Sequence, residues 1–242
     1  MNKETALHQI FQKYLFFISP DQPCSYLDEP MARTLFVDPA ATVSMKDYGH
    51  LLEAGFRRSG ENIYRPACET CQQCIPLRIP VRKFNAKRNQ RRNWKTNQDL
   101  SVAIIDSQFK EEHYQLYRQY MQSRHPGGGM DEDDRDAYQR LISSSWSATL
   151  LYEFRIAEQL VAIAVVDEFE NALSAVYTFF TPAYPARSLG RFAVLYEIEQ
   201  AKIAGKDWLY LGYWNPQCDK MSYKNEYQPC EIYQKAHWKN AG

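Results

Sequence analysis

Three cysteines at three-residue spacing, Cys68, Cys71 and Cys74, stand directly before a run of cations. Together with Cys24 they would supply four thiolates, the tetrahedral sulfur set that zinc or an iron–sulfur cluster accepts. A ferredoxin-like run would need a fourth cysteine at position 78, which is an arginine. The local motif is therefore incomplete, and thiols that bind no metal in a reducing cell are the alternative.

The cations that follow form the second group with a chemical use. From Arg78 to Lys95 there are eight Lys or Arg and no Asp or Glu, although the whole chain has a formal net charge of zero. On a helix, several of them fall three and four residues apart and share one face. Such a face suits a phosphate backbone, and a solvated helix flank is the alternative. The candidates for nucleic-acid contact are Arg82, Lys83, Lys87, Arg88, Arg91, Arg92 and Lys95.

Two glycine-flanked stretches carry further arginines. In GFRRSG, Arg57 and Arg58 are expected on a loop, and with Arg65 they could pair with a carboxylate through forked guanidinium groups. In PARSLGR, residues 185–191, Arg187 and Arg191 flank a helix start, whose free amides favour phosphate. Ordinary exposed arginines are the alternative for the first stretch.

The stretch LGYWNPQCDKMSYKNEY, residues 211–227, combines aromatic and charged groups. Tyr213 lies near the end of a predicted strand, at the point where an acyltransferase sheet opens to admit substrate. Asp219, Lys220, Tyr223 and Lys224 follow closely. Aromatic packing in a core is the alternative, but the density of charged groups favours a reaction centre.

The elements that position these groups divide the chain in two. Residues 14–40 are predicted to be extended and interrupted by prolines, and Ser44 caps a short helix that stops at Gly55. A strand is predicted over residues 75–84 and a basic helix over 85–98. These elements define a small mixed N-terminal lobe, residues 1–99.

Residues 100–242 have a different pattern. A strand at 100–105 precedes two helices, a three-stranded antiparallel meander, a helix at 189–204 and a closing strand. The expected fold class is therefore α+β. This order of elements is the one used by the N-acetyltransferase (GNAT) superfamily.

The composition indicates the cellular compartment of the protein. The chain has 242 residues, 45% of them apolar, and its longest early apolar run, residues 15–18, is too short for a signal peptide or a membrane span. Six cysteines without an export signal favour a reducing compartment. We therefore expect a cytoplasmic protein with no membrane partner.

Several long motifs, in order, resemble the arginyl-tRNA-protein transferase family and most closely its short bacterial leucyltransferase branch. They are CSYLDEPMARTLFVDP, GFRRSGENIYRPACETCQQCIPLRIPV, the RNQRR run, SRHPGGGM, SLGRFAVLYEIEQAK and YLGYWNPQCDKMSYKNEYQP. The resemblance spans about residues 14–235. It implies an aminoacyltransferase that takes leucine from Leu-tRNA and attaches it to proteins with an N-terminal Asp or Glu, which marks them for N-degron degradation.

The resemblance also suggests roles for the candidate residues. Arg57, Arg58 and Arg65 would bind the acidic N-terminal residue of the acceptor. The cations of residues 82–95, with Arg187 and Arg191, would hold the tRNA. Tyr213, Asp219, Lys220, Tyr223 and Lys224 would line the reaction centre. The ester of an aminoacyl-tRNA is already activated, so no cofactor is required for the chemistry. In eukaryotic relatives, N-terminal cysteines bind zinc or an iron–sulfur cluster. The positions best matched here are Cys24 and Cys74, and a second close pair is not reproduced.

Other functions fit parts of the sequence. Arginine in place of leucine would use the same chemistry, and pocket shape decides between the two. An acetyl-CoA-dependent N-acetyltransferase would share the second half but has no use for the basic segment. An RNA-binding module with a metal knuckle would leave residues 100–242 unexplained.

Overall fold

The computed structural model describes residues 3–28, 31–124 and 134–241. Within these ranges the protein has a four-stranded sheet, an eight-stranded sheet and a two-stranded ribbon, with helices packed against the two larger sheets. The glycine-rich end of the SRHPGGGM motif, residues 125–130, lies outside the described residues.

The four-stranded sheet is built from the N-terminal part of the chain, in the order β1-β4-β6-β5. Ser44 caps the second helix, as predicted, by accepting a hydrogen bond from the backbone N–H of Asp47 (3.1 Å), and Gly55 follows with φ +82°. The elements of this part and of the ribbon are α1 (Lys3–Lys13), β1 (Phe16–Ile18), β2 (Gln22–Pro23), β3 (Met31–Ala32), β4 (Thr34–Val37), α2 (Met45–Glu53), β5 (Arg57–Ser59) and β6 (Asn62–Pro66).

The eight-stranded sheet has the order β14-β13-β7-β12-β11-β10-β9-β8. All of its neighbouring strands are antiparallel except β11 and β12, which are parallel. Its strands are β7 (Ile75–Pro80), β8 (Leu100–Asp106), β9 (Thr149–Ile156), β10 (Gln159–Glu168), β11 (Ala172–Phe180), β12 (Trp208–Trp214), β13 (Glu231–Gln234) and β14 (His237–Asn240). The helices of this part are α3 (Arg88–Thr96), α4 (Glu111–Arg124), α5 (Arg135–Ile142), α6 (Leu189–Ile203) and α7 (Asp219–Ser222), and short 3₁₀ turns lie at Val81–Lys83, Pro185–Arg187 and Tyr223–Glu226.

Both faces of the large sheet are buried, because successive apolar side chains of its strands point to opposite faces and helices cover each face. The α6 face contributes Phe154, Ala164 and Leu211 to one hydrophobic cluster, and the opposite face packs Leu151 and Ile163 against α4 and α5. A third cluster joins α1, α2 and the small sheet. The predicted α+β class is confirmed by this arrangement, as is the predicted order of a strand, two helices, a three-stranded meander, a helix and a closing strand.

Two expectations about local structure need correction. The stretch GFRRSG was expected to be a loop, but Arg57 and Arg58 lie in β5, which forms a hairpin with β6 around Gly60 (φ +58°). The tail after residue 230 forms the β13–β14 hairpin, for which no strands were predicted. Both hairpins have short strands, three to five residues long, whose signal is weak in the sequence.

The chain crosses between the two sheets before residue 99. Strand β7 pairs with β12 and β13 inside the large sheet, although it belongs to the part predicted as the N-terminal lobe. The division into residues 1–99 and 100–242 stays a prediction. No helix among the described residues is long and apolar enough to cross a membrane.

Candidate active site

The parallel strands β11 and β12 separate soon after they begin. They are paired only from Ala172 opposite Trp208 to Ser174 opposite Tyr210. Beyond that point, residues 175–180 of β11 and 211–214 of β12 have no register with each other, although each strand keeps its other neighbour. We call the gap between residues 175–180 and 211–214 the fork.

Arg57 lies at the base of the fork and contacts both strands there. Its guanidinium donates to the Ser174 hydroxyl (3.1 Å), to the carbonyl oxygen of Ala175 (3.3 Å) and to that of Tyr210 (3.1 Å). The residue is 7% exposed and forms no ion pair with a carboxylate of the described residues. A buried guanidinium whose charge has no paired anion, and which has further N–H groups to offer, is suited to bind one.

Arg58 points away from the fork, because neighbouring residues of a strand face opposite sides of its sheet. It donates to Asp167 through Nε (2.6 Å) and Nη2 (2.7 Å) and also to the Thr149 hydroxyl (2.9 Å). Both side chains of the Arg58–Asp167 pair are 0% exposed. The hypothesis that Arg58 binds the acceptor is therefore revised, since its charge is already compensated inside the protein.

Arg65 is also separated from Arg57. Its neighbour Tyr64 lies opposite Arg57 in the β5–β6 register, so alternation directs Arg65 to the other face. There the Arg65 guanidinium lies 4.9 Å from the centre of the Phe56 ring and 3.4 Å from the carbonyl oxygen of Ala54. Only one of the three predicted arginines thus reaches the fork.

Lys224 enters the fork from the 3₁₀ turn that follows α7. Its Nζ donates to the carbonyl oxygen of Tyr213 (3.0 Å), on the β12 side. Burial of the amine, followed by the positive charge of Arg57, lowers the pKa of Lys224 to about 7. A substantial fraction of this amine is therefore neutral near pH 7 and able to accept a proton.

The turn that carries Lys224 is fixed on both sides. The Trp214 indole N–H donates to the carbonyl oxygen of Ser222 (3.2 Å), which holds the turn against β12. Glu226, at its end, forms an ion pair with Arg191 of α6. The position of the Lys224 amine is therefore set by contacts from both the sheet and α6.

The other residues predicted for the reaction centre are distributed more widely. The Tyr213 hydroxyl points away from Lys224 and lies 3.0 Å from the carbonyl oxygen of Gly55 and 3.2 Å from that of Tyr64, so its side chain anchors the small sheet. Asp219 and Lys220 are exposed on α7. Burial raises the pKa of Tyr223 to about 12, and its ring lies 5.7 Å from the Arg191 guanidinium. The structure brings only Lys224 and the Tyr213 backbone together.

Gly212 was not singled out from the sequence, yet it lies at the centre of this site. Its φ is +85°, and the β12–β7 register shifts between Tyr210 and Gly212. A Cβ atom at this position would lie 3.2 Å from Nζ of Lys224 and 3.4 Å from Nη2 of Arg57. An isolated glycine within a strand often marks such a bulge or a close approach of another group, so the glycine at position 212 is the sequence signal for this feature.

The basic segment forms a helix, α3, that is shorter than predicted. Trp94 on its inner face packs on Phe192 of α6 (ring centres 5.4 Å apart), and Gln90 donates to the carbonyl oxygen of Glu226 (3.3 Å). The outer cations are exposed and form no ion pair with any carboxylate of the described residues: Lys83, Lys87, Arg88, Arg91, Arg92 and Lys95. Arg82 differs because it pairs with Asp207 (3.1 Å).

Arg187 and Arg191 are engaged in ion pairs instead of forming a free phosphate site. Arg187 binds Asp99 through two hydrogen bonds (2.7 and 2.8 Å), which ties the end of α3 to the start of α6. Arg191 pairs with Glu226. Their predicted role in holding the tRNA is revised, since both guanidinium groups already have carboxylate partners.

The cysteines lie beside the fork but do not converge as a metal site. Burial raises the pKa of Cys74 to about 11, a hydrogen bond from Asn215 (3.9 Å) opposes this, and the nearby thiols of Cys24, Cys68 and Cys71 raise it again. No three Cys, His, Asp or Glu side chains in the described ranges are placed to hold a metal ion. The metal site stays a prediction, and no step of the chemistry is derived through it.

Two family models match this chain. Residues 22–92 match the family described as arginine-tRNA-protein transferase, N terminus, and residues 112–234 match the corresponding C terminus. The matched regions include β5, the cysteines, residues 88–92 of α3, both strands of the fork and Lys224.

Curated proteins similar to this chain carry one name, aspartate/glutamate leucyltransferase. The protein of Nitrosococcus oceani is 48% identical over 224 residues, 92% of this chain and 94% of that protein. That of Teredinibacter turnerae is 49% identical over 219 residues, 90% of each chain. That of Saccharophagus degradans is 45% identical over 223 residues, 92% and 94% of the two chains.

Solved structures match at a greater distance. FemX covers 99% of this chain and 90% of its own, with a TM-score of 0.48 and 9% identity. L-PGS from Bacillus licheniformis covers 71% and 52%, with a TM-score of 0.45 and 10% identity. The two family matches and the curated relatives, which extend over nearly the whole chain, show that this protein belongs to the arginine-tRNA-protein transferase family.

Proposed function

We propose that this protein moves leucine from Leu-tRNA to the α-amine of proteins that begin with Asp or Glu, and so marks them for N-degron degradation in the cytoplasm, where charged tRNA is found. The single observation that carries the mechanism is the Lys224 amine, held at the Tyr213 carbonyl in the fork with a pKa of about 7. The names of the relatives support the donor and the acceptor residues.

The reaction is the aminolysis of an ester. The acceptor amine attacks the ester carbonyl carbon, and the ribose hydroxyl of the tRNA leaves. An α-amino group has a pKa of about 7.7–8.0, so the neutral nucleophile is present near pH 7. Neutral Lys224 takes the proton that the amine loses on forming the amide bond and can return it to the departing ribose oxygen. The chemistry requires no covalent enzyme intermediate and no cofactor.

Arg57 is the residue that we assign to the acidic side chain of the acceptor. Its guanidinium is buried, lies beside Gly212 and has no carboxylate partner among the described residues. A carboxylate of the acceptor would compensate this charge, and a neutral side chain would leave it unpaired. The preference for Asp or Glu then follows from one cation, in place of the three that the sequence suggested.

The exposed cations of α3 and the preceding turn are assigned to the tRNA backbone. Except for Arg82, which pairs with Asp207, these cations form no ion pair with a carboxylate of the described residues. Gln90 joins α3 to the turn that carries Lys224. A phosphate backbone bound along α3 would therefore lie close to the segment that presents the catalytic amine. This continuity favours a tRNA-linked donor over acetyl-CoA.

A transfer assay tests the proposal. The enzyme is mixed with radiolabelled Leu-tRNA, Arg-tRNA or acetyl-CoA and with peptides that begin with Glu or Gln. We expect label to pass from Leu-tRNA to the Glu peptide. Arg57→Gln should reduce the Glu-over-Gln preference by about tenfold or more, because a charge-assisted hydrogen bond is lost. Arg65→Gln, on the other face of the sheet, is the control and should keep the preference. Transfer from acetyl-CoA alone, or no transfer to the Glu peptide, would contradict the proposed function.

A further inference from the structure

A carboxylic acid is buried on α6 without a partner. Glu197 is 0% exposed, and neither of its carboxyl oxygens has a hydrogen-bond partner among the described residues. It belongs to the face of α6 that packs on the sheet, together with Ala193, Val194, Ile198 and Ala201. An apolar residue at this position would make the folded protein more stable, because an unsatisfied buried polar group costs about 1–3 kcal/mol.

The surroundings of Glu197 include tyrosines from two other elements. Burial raises the pKa values of Tyr152, Tyr223 and Tyr227, and the nearby charge of Glu197 raises each of them further. Tyr152 belongs to β9, and Tyr223 precedes Lys224 in the 3₁₀ turn. Tyr223 also packs against the hydrophobic cluster that contains Val194 and Ile198, the neighbours of Glu197 on α6, so the carboxyl lies close to the segment that presents the catalytic amine.

No cation of the described residues compensates this acid. Arg191, one turn and a half earlier on α6, is paired with Glu226, and no ion pair joins Glu197 to a described Lys or Arg. Burial alone raises the pKa of Glu197 to about 8. A buried carboxyl with no cation partner is suited to bind a ligand that carries a positive charge.

The reaction supplies two amines, and only one of them can remain charged. The α-amine of the acceptor is the nucleophile and must be neutral to attack, so a carboxylate partner would oppose catalysis. The α-amine of the aminoacyl donor does not react and can remain an ammonium throughout. This difference selects the donor as the source of the cation.

On the basis of the proposed function, we propose that Glu197 binds the α-ammonium group of the aminoacyl ester and so restricts the donor to esters with a free amine. Because the carboxyl is fully buried, the side chains that cover it must move for the donor to enter. Acylated or deaminated donors would leave the carboxyl without a partner and should be rejected.

The test compares three donors on the wild-type enzyme: Leu-tRNA, N-acetyl-Leu-tRNA and the α-hydroxy analogue of Leu-tRNA, with a Glu peptide as acceptor. We expect kcat/KM for the two uncharged donors to be about 10- to 100-fold lower, the size expected for a lost charge-assisted hydrogen bond. Equal use of the α-hydroxy donor would overturn the inference without any mutation. No transfer from Leu-tRNA at all would contradict the proposed function and this inference with it.

Glu197→Gln provides the second arm. It should lower kcat/KM for Leu-tRNA by a similar factor and leave that for the α-hydroxy donor unchanged, so that discrimination is lost. Glu199→Gln is the matched control, on the same helix and with a side chain 46% exposed, and should discriminate like the wild type. Thermal unfolding checks that both variants are folded. If a folded Glu197→Gln enzyme still discriminates like the wild type, Glu197 does not bind the ammonium.

Discussion

The guanidinium of Arg57 and the amine of Lys224 meet at the same glycine. A Cβ atom on Gly212 would lie 3.4 Å from the first and 3.2 Å from the second, and neither cation has a carboxylate partner among the described residues. Two neighbouring positive charges in a buried site disfavour each other, and the charge of Arg57 adds to burial in lowering the pKa of Lys224. One arrangement therefore provides both a cation for the acceptor acid and a neutral amine for proton transfer.

The pH dependence of transfer should show the titration of two amines, that of Lys224 and that of the acceptor. Both Lys224 and the acceptor must be neutral, and the pKa of Lys224 is lowered to about 7, so the neutral fraction of each rises with pH. For the wild type, log(kcat/KM) should rise with a slope of about 2 below pH 7 and more slowly above it. Lys224→Met should lower kcat by about 10²- to 10⁴-fold and reduce the slope to about 1. A slope of about 1 in the wild type would exclude Lys224 as the base.

Removing the charge of Arg57 should shift the pH profile of transfer. Its positive charge lowers the pKa of Lys224, after burial as the larger cause, so removing the charge should raise that pKa. In Arg57→Gln the rising limb should move to higher pH when a Gln peptide, which needs no anion site, is the acceptor. The limb is measured from kcat/KM between pH 6 and pH 9. A limb that stays in place would mean that the two groups are not coupled.

Arg58 should matter for stability and not for substrate preference. It is fully buried with Asp167, and loss of one member of such a pair typically costs about 3–5 kcal/mol. Arg58→Leu should therefore lower the free energy of unfolding strongly in urea titrations. The double variant Arg58→Leu, Asp167→Leu should recover part of the loss because no unpaired charge remains. A changed Glu-over-Gln preference in the double variant would return Arg58 to the binding site.

The basic helix should control the salt dependence of tRNA binding. Arg91→Glu with Arg92→Glu removes two exposed cations and should lower affinity for tRNA and reduce the slope of log K against log salt by about 1 per phosphate contact. Arg187→Gln is the comparison, because Arg187 is paired with Asp99. It should lower thermal stability and leave the salt slope unchanged. An unchanged slope in the double variant would exclude this face of α3.

The elements that the sequence predicts best are those with a strong period or a clear end. The helix at 45–53 has a serine cap and a glycine stop, the meander consists of three apolar runs joined by short polar turns, and α6 has a largely apolar face, so the sequence predicts each of them. The chemistry of single arginines was harder to predict. Arg57 and Arg58 are adjacent and identical in type, and only the strand conformation, which directs them to opposite faces, separates a site residue from a structural one.

Partners distant in the chain also escape sequence analysis. The acids that neutralise Arg58 and Arg191 are Asp167 and Glu226, which lie 109 and 35 residues away. Nothing local in PARSLGR shows that Arg187 and Arg191 are already paired. Glu197 carries a clearer signal, since a glutamate on the apolar face of a helix breaks the pattern of its neighbours.

The side chains of Arg57 and Lys224 lie close to Gly212, and a second glycine with positive φ serves as a control for the backbone strain that alanine would cause. Gly212 and Gly205 both have positive φ, +85° and +69°, so alanine at either position should cost roughly 1–2 kcal/mol. A Cβ atom at Gly205 would have no neighbour within 4 Å, whereas at Gly212 it would crowd Lys224 and Arg57. We therefore expect similar losses of thermal stability in Gly212→Ala and Gly205→Ala, but a large loss of transfer activity only in the first. Because the new methyl group would displace the amine from the Tyr213 carbonyl, the fall should appear mainly in kcat. Equal activities in the two variants would show that transfer does not depend on the arrangement of Arg57 and Lys224 around this glycine.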